Sequence, residues 1–302
     1  MNTAMQSVRT YDFDVLKKTL PINDVSNIER FAVSEEELPE VLNQGNVQCC
    51  IACVISEILS VMKSDKYSVS YIYGKHRTKD SVNPGMLAES ALKSMLNYGS
   101  IPYEIFPQLV EMPEVKKTVE AHPQWDKLAE KSKIKGYCRI RWGNDTDKLE
   151  NIKLALINYR IPLLAISKSG FGASHCILIY GFEIKNGEPY IMIQNSWGKE
   201  YGKNGRASVQ LSKIDYVYVL FDEKIEIPFE DVSVNDWFYG AVRNMFLQGY
   251  IKGKSETEFC PNDNMTRAEV CTVLDRILKR QDEIHQAEFE MLESRLEKIE
   301  NK

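Results

Sequence analysis

Apolar residues recur at three- and four-residue spacing from Gln48 to Met62, through Ile51, Val54, Ile55, Ile58, Leu59 and Met62, and predict an amphipathic helix. A second helix is predicted from Met86 to Tyr98, with Leu87, Ala91, Met95 and Leu96 inward, opened by Asn83-Pro84-Gly85 and stopped by Gly99. A third is predicted around Thr146 to Asn158. The pattern then shortens to strand-length apolar runs, Pro162 to Ser167, Cys176 to Phe182, Tyr190 to Gln194 and Arg206 to Leu211, with Gly-rich turns between them and a strand-rich tail from Ile214 to Ile227. Helices first and strands later predict an α+β domain. The polar, acidic stretch before Glu40 reads as an arm with one short helix. After Pro228 the pattern changes again: a helix from Trp237 to Gln248, turns to Asn264, and a helix from Thr266 to Lys279 headed by Thr266-x-x-Glu269, which has capping-box spacing. Beyond it, Phe289, Leu292, Leu296 and Ile299 give two heptads of an apolar seam in a charged segment, either a short coiled coil or a solvated terminal helix.

Composition narrows the function classes. A chain of 302 residues, 43% hydrophobic and 27% charged, has the length of two domains and is not a disordered polymer. No apolar run approaches the roughly 20 residues that cross a bilayer. A net charge of -5 gives no basic footprint, so nucleic acid is not an expected partner. Met1 to Tyr11 carry no apolar signal core. The 7 cysteines are an odd number, with Cys49, Cys50 and Cys53 crowded together and Cys138, Cys176, Cys260 and Cys271 scattered. That is thiol usage rather than a disulfide scaffold. Zinc is the rival use of Cys50-x-x-Cys53, but no second such pair exists and the segment reads as a helix. No cofactor or metal is expected.

The crowded cysteines sit where a nucleophile belongs. A cysteine in the first turn of a helix meets the positive end of the helix dipole, which favours thiolate. Cys50 has that place. Gln44, on the loop feeding the helix, and the Cys50 backbone N–H are candidate donors to an oxyanion formed on attack. Of the 4 histidines, His76 and His122 lie in polar stretches and His285 in the charged terminal segment. His175 instead opens a predicted strand after a run of small residues. Asn195 is placed to accept from one ring nitrogen of His175 and leave the other for sulfur, with Trp197 shielding the bond from water.

In this order the motifs resemble those of the papain-like cysteine peptidases, over roughly residues 35–220. They are Gln44-Gly45 followed by Cys50, Tyr98-Gly99 followed by Pro102, Ser174-His175-Cys176 running to Gly181-Phe182, and Asn195-Ser196-Trp197-Gly198 running on to Gly202-x-Asn204-Gly205. The resemblance implies a two-subdomain fold, helical left half and β-rich right half. It implies Cys50 as nucleophile, His175 as base, Asn195 as its orienter and Gln44 in the oxyanion hole. Spacing from Gln44 and the match of Ala52 favour Cys50 over Cys49. Gly85 falls where the family pairs with extended substrate. Met86, Leu87, Ile166 and Ala173 then line an apolar pocket or are simply core, with Ser174 and Trp197 at the cleft. The departures are Gln48-Cys49 for Gly-Ser, Ile51 for Trp, Val47 where a disulfide cysteine usually stands, and a short loop between Ile166 and His175, as in the trimmed bacterial and viral branch. The short loop is expected to leave one wall of the cleft open.

Residues 229–276 resemble one surface-layer homology module, on Phe229-x-Asp231-Val232, Trp237, Ala241-Val242, Gly249-Tyr250-Ile251-x-Gly253, Phe259-x-Pro261-Asn262, Met265-Thr266-Arg267-Ala268-Glu269 and Arg276. The resemblance implies a small all-α module that binds acidic cell-wall polysaccharide, with Asp231, Trp237, Gly253 and Arg267 at the groove. Trp237 in the core is the rival reading. Such modules usually come in threes and this chain shows a single copy, so a homotrimer assembled through the module and the terminal helix is expected, against a monomer. The division is then 1–35 arm or short pro-segment, 36–227 peptidase domain, 228–280 module and 281–302 terminal helix. The function expected is a cysteine endopeptidase tethered to wall polysaccharide. An inactive wall-binding scaffold and an amidase or transpeptidase on wall peptides stay open. The module gives a cell-surface address; without a leader, a cytoplasmic site or release by lysis is the alternative.

Overall fold

The computed structural model describes residues 10–75, 85–107, 109, 113–222, 227–279 and 281–282. The chain divides into a large unit, Val8–Lys224, and a small one formed mainly by Ile225–Lys302.

In chain order the large unit contains β1 (Thr10–Asp12), α1 (Phe13–Leu16), β2 (Arg30–Ala32), α2 (Cys50–Lys63), α3 (Val69–Lys75), α4 (Ala88–Asn97), α5 (Glu114–Ala121), α6 (Trp125–Ala129), β3 (Gly136–Ile140), α7 (Asp145–Tyr159), β4 (Leu163–Ser167), β5 (His175–Lys185), β6 (Glu188–Gln194), β7 (Arg206–Gln210) and β8 (Tyr216–Phe221). The helix α2 is buried on every side through its first three turns, from Ile51 to Leu59, as befits a helix with apolar residues all round. It ends where Ser64 turns left-handed at φ 53. Its last turn is tied to the sheet by the Lys63–Asp222 ion pair.

The strands run in the order β1-β3-β8-β4-β5-β6-β7. All neighbours are antiparallel except β1 and β3. The long strand β5 is the hub. Its first residues pair with β4, its length pairs with β6, and β2 joins it at Gly181 to Glu183. Two short strands of the N-terminal stretch are thus part of the sheet, which residues 1–40 did not reveal as sequence. The pairing of β5 with β6 skips Tyr180, a bulge of one residue. The helices α3 to α6 carry the other half of the core, with Tyr71 and Tyr73 fully buried. The Tyr71 hydroxyl donates to Asp126 at 2.8 Å, and Lys75 pairs with the same carboxylate.

The small unit packs Phe229, Val232 and Val242 with Phe246, Ile251 and Phe259 around it. Its helices are α8 (Tyr239–Leu247) and α9, residues 267–279. The capping box forms: Thr266 N–H donates to Glu269 Oε2 at 2.7 Å and Glu269 N–H returns to Thr266 Oγ1 at 3.2 Å. The side chains of Val270, Leu274 and Leu278, one turn apart along α9, are 42%, 53% and 59% exposed. The apolar seam from Phe289 to Ile299 lies outside the described residues.

Gly99 stops α4 as its pattern predicts, with φ +77. A Cβ there would run into the Ala129 carbonyl oxygen, the Ser132 hydroxyl and the Lys133 backbone nitrogen. Gly99→Ala is expected to destabilise the large unit by more than about 2 kcal/mol, read from urea unfolding of the two proteins.

Candidate active site

The first turn of α2 meets the first turn of the sheet's hub strand. Cys50 is the first residue of α2, after the cap residue Cys49, and it is half-buried while Cys49 is fully enclosed. The backbone N–H of Cys176 donates to the Cys50 sulfur, which sets that sulfur one residue from His175. The Cys49 side chain turns the other way, its sulfur 3.7 Å from that of Cys53. Of the adjacent cysteines, Cys50 is therefore the one that faces the cleft.

His175 is 7% exposed, and its Nε2 donates to Asn195 Oδ1 at 2.7 Å. A proton on Nε2 leaves the lone pair of a neutral imidazole on Nδ1. Trp197 stacks on the His175 ring at 4.7 Å and 27°. Phe171 meets both rings edge-on, at 5.7 Å from His175 and 6.0 Å from Trp197. Sequence reasoning missed Phe171, because it lies in the short loop before β5 and belongs to no motif.

Gln44 reaches the site on a loop that docks against the turn after β6. Its backbone N–H donates to the Ser196 carbonyl at 2.8 Å, and the Gly198 N–H donates to Leu42 O at 2.9 Å. The Ser196 hydroxyl donates to Gln44 Oε1 at 2.5 Å, while Gln44 Nε2 donates one hydrogen to Val47 O at 2.8 Å. The amide is thereby locked in one orientation, and its nitrogen retains a second hydrogen. Ser196 was legible as a motif residue but not as the group that orients Gln44.

Burial dominates the titration of the pair. Desolvation pushes the Cys50 thiol up to about 11, against the pull of the Cys176 N–H. Desolvation also holds His175 below its ordinary 6.5, with the bond to Asn195 opposing. The helix dipole was expected to favour a thiolate; the enclosure of the sulfur outweighs it. Both shifts favour neutral partners, thiol and imidazole. Beneath them a polar line crosses the core. Gln194 Nε2 donates to Glu57 at 2.9 Å, Arg206 Nε donates to Gln194 Oε1 at 2.9 Å, and the Arg206 guanidinium pairs with Glu35 at 3.1 Å. Burial pushes Glu57 up to about 8.

Comparison with known proteins gives this arrangement its relatives. Residues 150–217 match the papain family of cysteine proteases, and residues 228–271 match the S-layer homology domain. Each match covers a part of the chain, one within the large unit and one within the small unit. Xylellain, a cysteine protease from Xylella fastidiosa, shares the fold at a TM-score of 0.52 and 17% identity, covering 74% of this chain and 94% of that one. The proform of the ragweed allergen Amb a 11, a cysteine protease, does so at 0.54 and 15%, covering 71% and 70%. A viral cathepsin of Cydia pomonella granulosis virus is 40% identical over 58 residues, 19% of this chain and 17% of its own length. The surface-layer 125 kDa protein of Lysinibacillus sphaericus is 33% identical over 64 residues, 21% of this chain and 5% of its own. The chain therefore spans only a small part of the curated relatives it matches. The papain-family match contains His175 and Asn195 but begins after Cys50 and Gln44, which the fold brings to them.

The remaining predicted positions are placed as follows. Met86 and Ile166 are buried in the core shared with α2, Leu87 and Gly85 are half-buried, and Ala173 and Ser174 are exposed before β5. Ile166 pairs with Cys176 across the sheet, one register step from His175. Asn83, Pro84, His76 and His285 lie outside the described residues. His122 bonds Thr118 O and stacks on Trp125, a structural use. In the small unit, Trp237 is 94% exposed, so it is not core. Arg267 is exposed at the start of α9. Asp231 accepts the backbone N–H groups of Phe259 and Cys260 at 2.8 and 2.7 Å, which hold its carboxyl below the usual range. A Cβ on Gly253 would stand 2.5 Å from the Phe229 ring.

Neutral partners give a specific kinetic signature. Alkylation of Cys50 by iodoacetamide is expected to climb with pH through an apparent pKa above 9.0, the ordinary thiol value, without a plateau between about pH 5 and pH 8. A plateau in that range, measured by stopped-time mass spectrometry, would instead show a resting thiolate–imidazolium pair.

Proposed function

We propose that the chain is a cysteine peptidase held at the cell surface by its S-layer homology domain. The observation that carries this is the set of four bonds at one place: Cys176 N–H to the Cys50 sulfur, His175 to Asn195, and Ser196 to a Gln44 amide that also binds Val47. Cys50 attacks a peptide carbonyl while His175 takes the thiol proton, which suits a pair that rests uncharged. The spare Gln44 hydrogen and the Cys50 backbone N–H stabilise the oxyanion. His175 returns the proton to the leaving amine, and water then resolves the thioester. Asn195 keeps the imidazole in its tautomer and Trp197 keeps water off that bond. Substrate lies along Gly85 and Trp197, past Ser174, with an apolar side chain against Met86, Leu87, Ile166 and Ala173.

The test is reaction with an epoxide inhibitor of papain-type enzymes, followed by mass. One adduct on Cys50, absent from Cys50→Ala, is expected. Gln44→Ala is expected to lower kcat on a peptide substrate by about 10²-fold with little change in KM. An unlabelled, reduced Cys50 would overturn the peptidase reading and leave a wall-binding scaffold. Turnover confined to wall peptides would redirect the chemistry to an amidase.

The same proposal gives the small unit an acidic wall polysaccharide as partner. The Trp237 ring suits a sugar face, and Arg267 at a helix start suits a carboxylate. The bonds of Asp231 to the loop and the packing of Gly253 support a role in shaping the groove rather than touching polymer. The exposed stripe of Val270, Leu274 and Leu278 supports assembly of three copies through α9. Arg267→Ala is expected to weaken sedimentation with purified wall polymer at least tenfold. Light scattering is expected to give three chain masses; one chain mass at working concentration would end the trimer.

A further inference from the structure

Arg139 is a half-buried cation on β3 that makes no ion pair among the described residues. Its guanidinium carbon lies 4.1 Å over the ring of Tyr216. A guanidinium carries five N–H donors in its own plane, and a ring under the carbon does not use them. Lys168 brings a second positive charge, its Nζ 5.1 Å over the same ring. Carboxylates on neighbouring segments are engaged elsewhere. Asp215 accepts the Lys168 backbone N–H at 2.6 Å, and Glu89 accepts the Tyr137 hydroxyl at 3.4 Å.

Strand register places these charges beside the nucleophile. Ile166 of β4 pairs with Cys176 of β5 on one side and with Tyr216 of β8 on the other. Arg139 pairs with Tyr218, two residues further along β8. Alternation therefore puts Arg139, Tyr216, Ile166 and Cys176 on one face of the sheet. Tyr216 packs against the core that holds Ile166, Met86 and α2. The backbone of Cys176 is what meets the Cys50 sulfur. Tyr216 thus stands two strand spacings, about 10 Å, from that meeting point.

The sheet order gives the direction along the cleft. His175 returns its proton to the leaving amine, and its stacking partner Trp197 follows β6, on one flank of β5. Strands β4 and β8 lie on the other flank, which falls to the acyl part of the substrate. An extended peptide advances about 3.3 Å per residue, so the second residue before the scissile bond has its backbone about 7 Å from the reaction and covers the remainder with its side chain.

We propose that Arg139 is a specificity-determining residue that binds a carboxylate on the second residue before the scissile bond, so that substrates with glutamate at that position are preferred. This rests on the peptidase reading of Cys50 and sharpens it. Met86 and Ile166 line the methylene stem of the side chain, and Arg139, with Lys168 beside it, takes the charged end. A guanidinium and a carboxylate match in charge and in planar geometry. The Tyr216 ring holds the guanidinium before substrate arrives, which reduces the ordering cost of the bond.

The test compares two peptides on the full-length protein, identical except for glutamate or glutamine at that position. The side chains have one shape and differ in charge. The glutamate peptide is expected to have at least a tenfold higher kcat/KM, chiefly through KM, and the gap is expected to narrow as salt rises from about 0.05 to 0.5 M. Arg139→Gln is expected to bring the ratio near one, and Arg139→Glu to favour lysine there; epoxide labelling of Cys50 shows that each variant has formed its site. Protection of wild-type Cys50 from iodoacetamide reads the pocket without turnover, and the glutamate peptide is expected to protect at a tenfold lower concentration. Equal protection by the two peptides, or a preference that survives Arg139→Gln, would overturn the proposal. Unequal protection with no cleavage of either peptide would uphold the anion site and remove the peptidase reading instead.

Discussion

A single contact, the start of α2 against the start of β5, governs the chemistry of the large unit. It brings a backbone N–H to the Cys50 sulfur, and in doing so shields the half-buried residue from part of its water. Desolvation then decides the charge state of the pair, because the field of one helix end is worth about 1 kcal/mol while removing a thiolate from water costs several. The histidine is subject to the same rule: buried between two aromatic rings, it is held neutral with its proton directed to Asn195.

Much of this was legible because periodicity and motif agreed. The helices α2, α4 and α7 and the strands β4 to β7 lie within a residue or two of where apolar spacing put them, with β5 running further than its apolar run. The pairing of His175 with Asn195 and the stacking of Trp197 follow from three residues in fixed order. Other features left no local trace. Thr10 to Asp12 and Arg30 to Ala32 are strands only because partners 127 and 153 residues away accept them, Thr10 with Tyr137 and Arg30 with Glu183 setting the registers. Phe171 is one aromatic residue in a turn, and Ser196 one hydroxyl in a motif; what each does depends on what the fold puts opposite. The burial of Cys50 left no local trace either, because a sequence shows the helix start but not the wall that closes over it.

The conspicuous residues of the small unit differ in what they touch. Asp231 is exposed but commits its carboxylate to two loop amides, and Gly253, half-buried, makes room for Phe229. Trp237 and the apolar stripe of α9 are outward, and a core of Phe229, Val232 and Val242 does not need them. The motif alone could not separate these outward residues from the residues that build the fold.

The polar line from Glu57 through Gln194 and Arg206 to Glu35 couples folding to hydrogen-ion uptake. In an unfolded chain Glu57 ionises near its ordinary 4.5, whereas in the folded one it keeps its proton up to about 8. Between those values the native state binds the extra proton, so by linkage its stability falls as pH climbs through that window and is greatest on the acid side. Because Glu57 sits two turns down the helix that begins with Cys50, mild alkalinity loosens that helix, and the grip of the fold on it becomes a readout of the acidity around it.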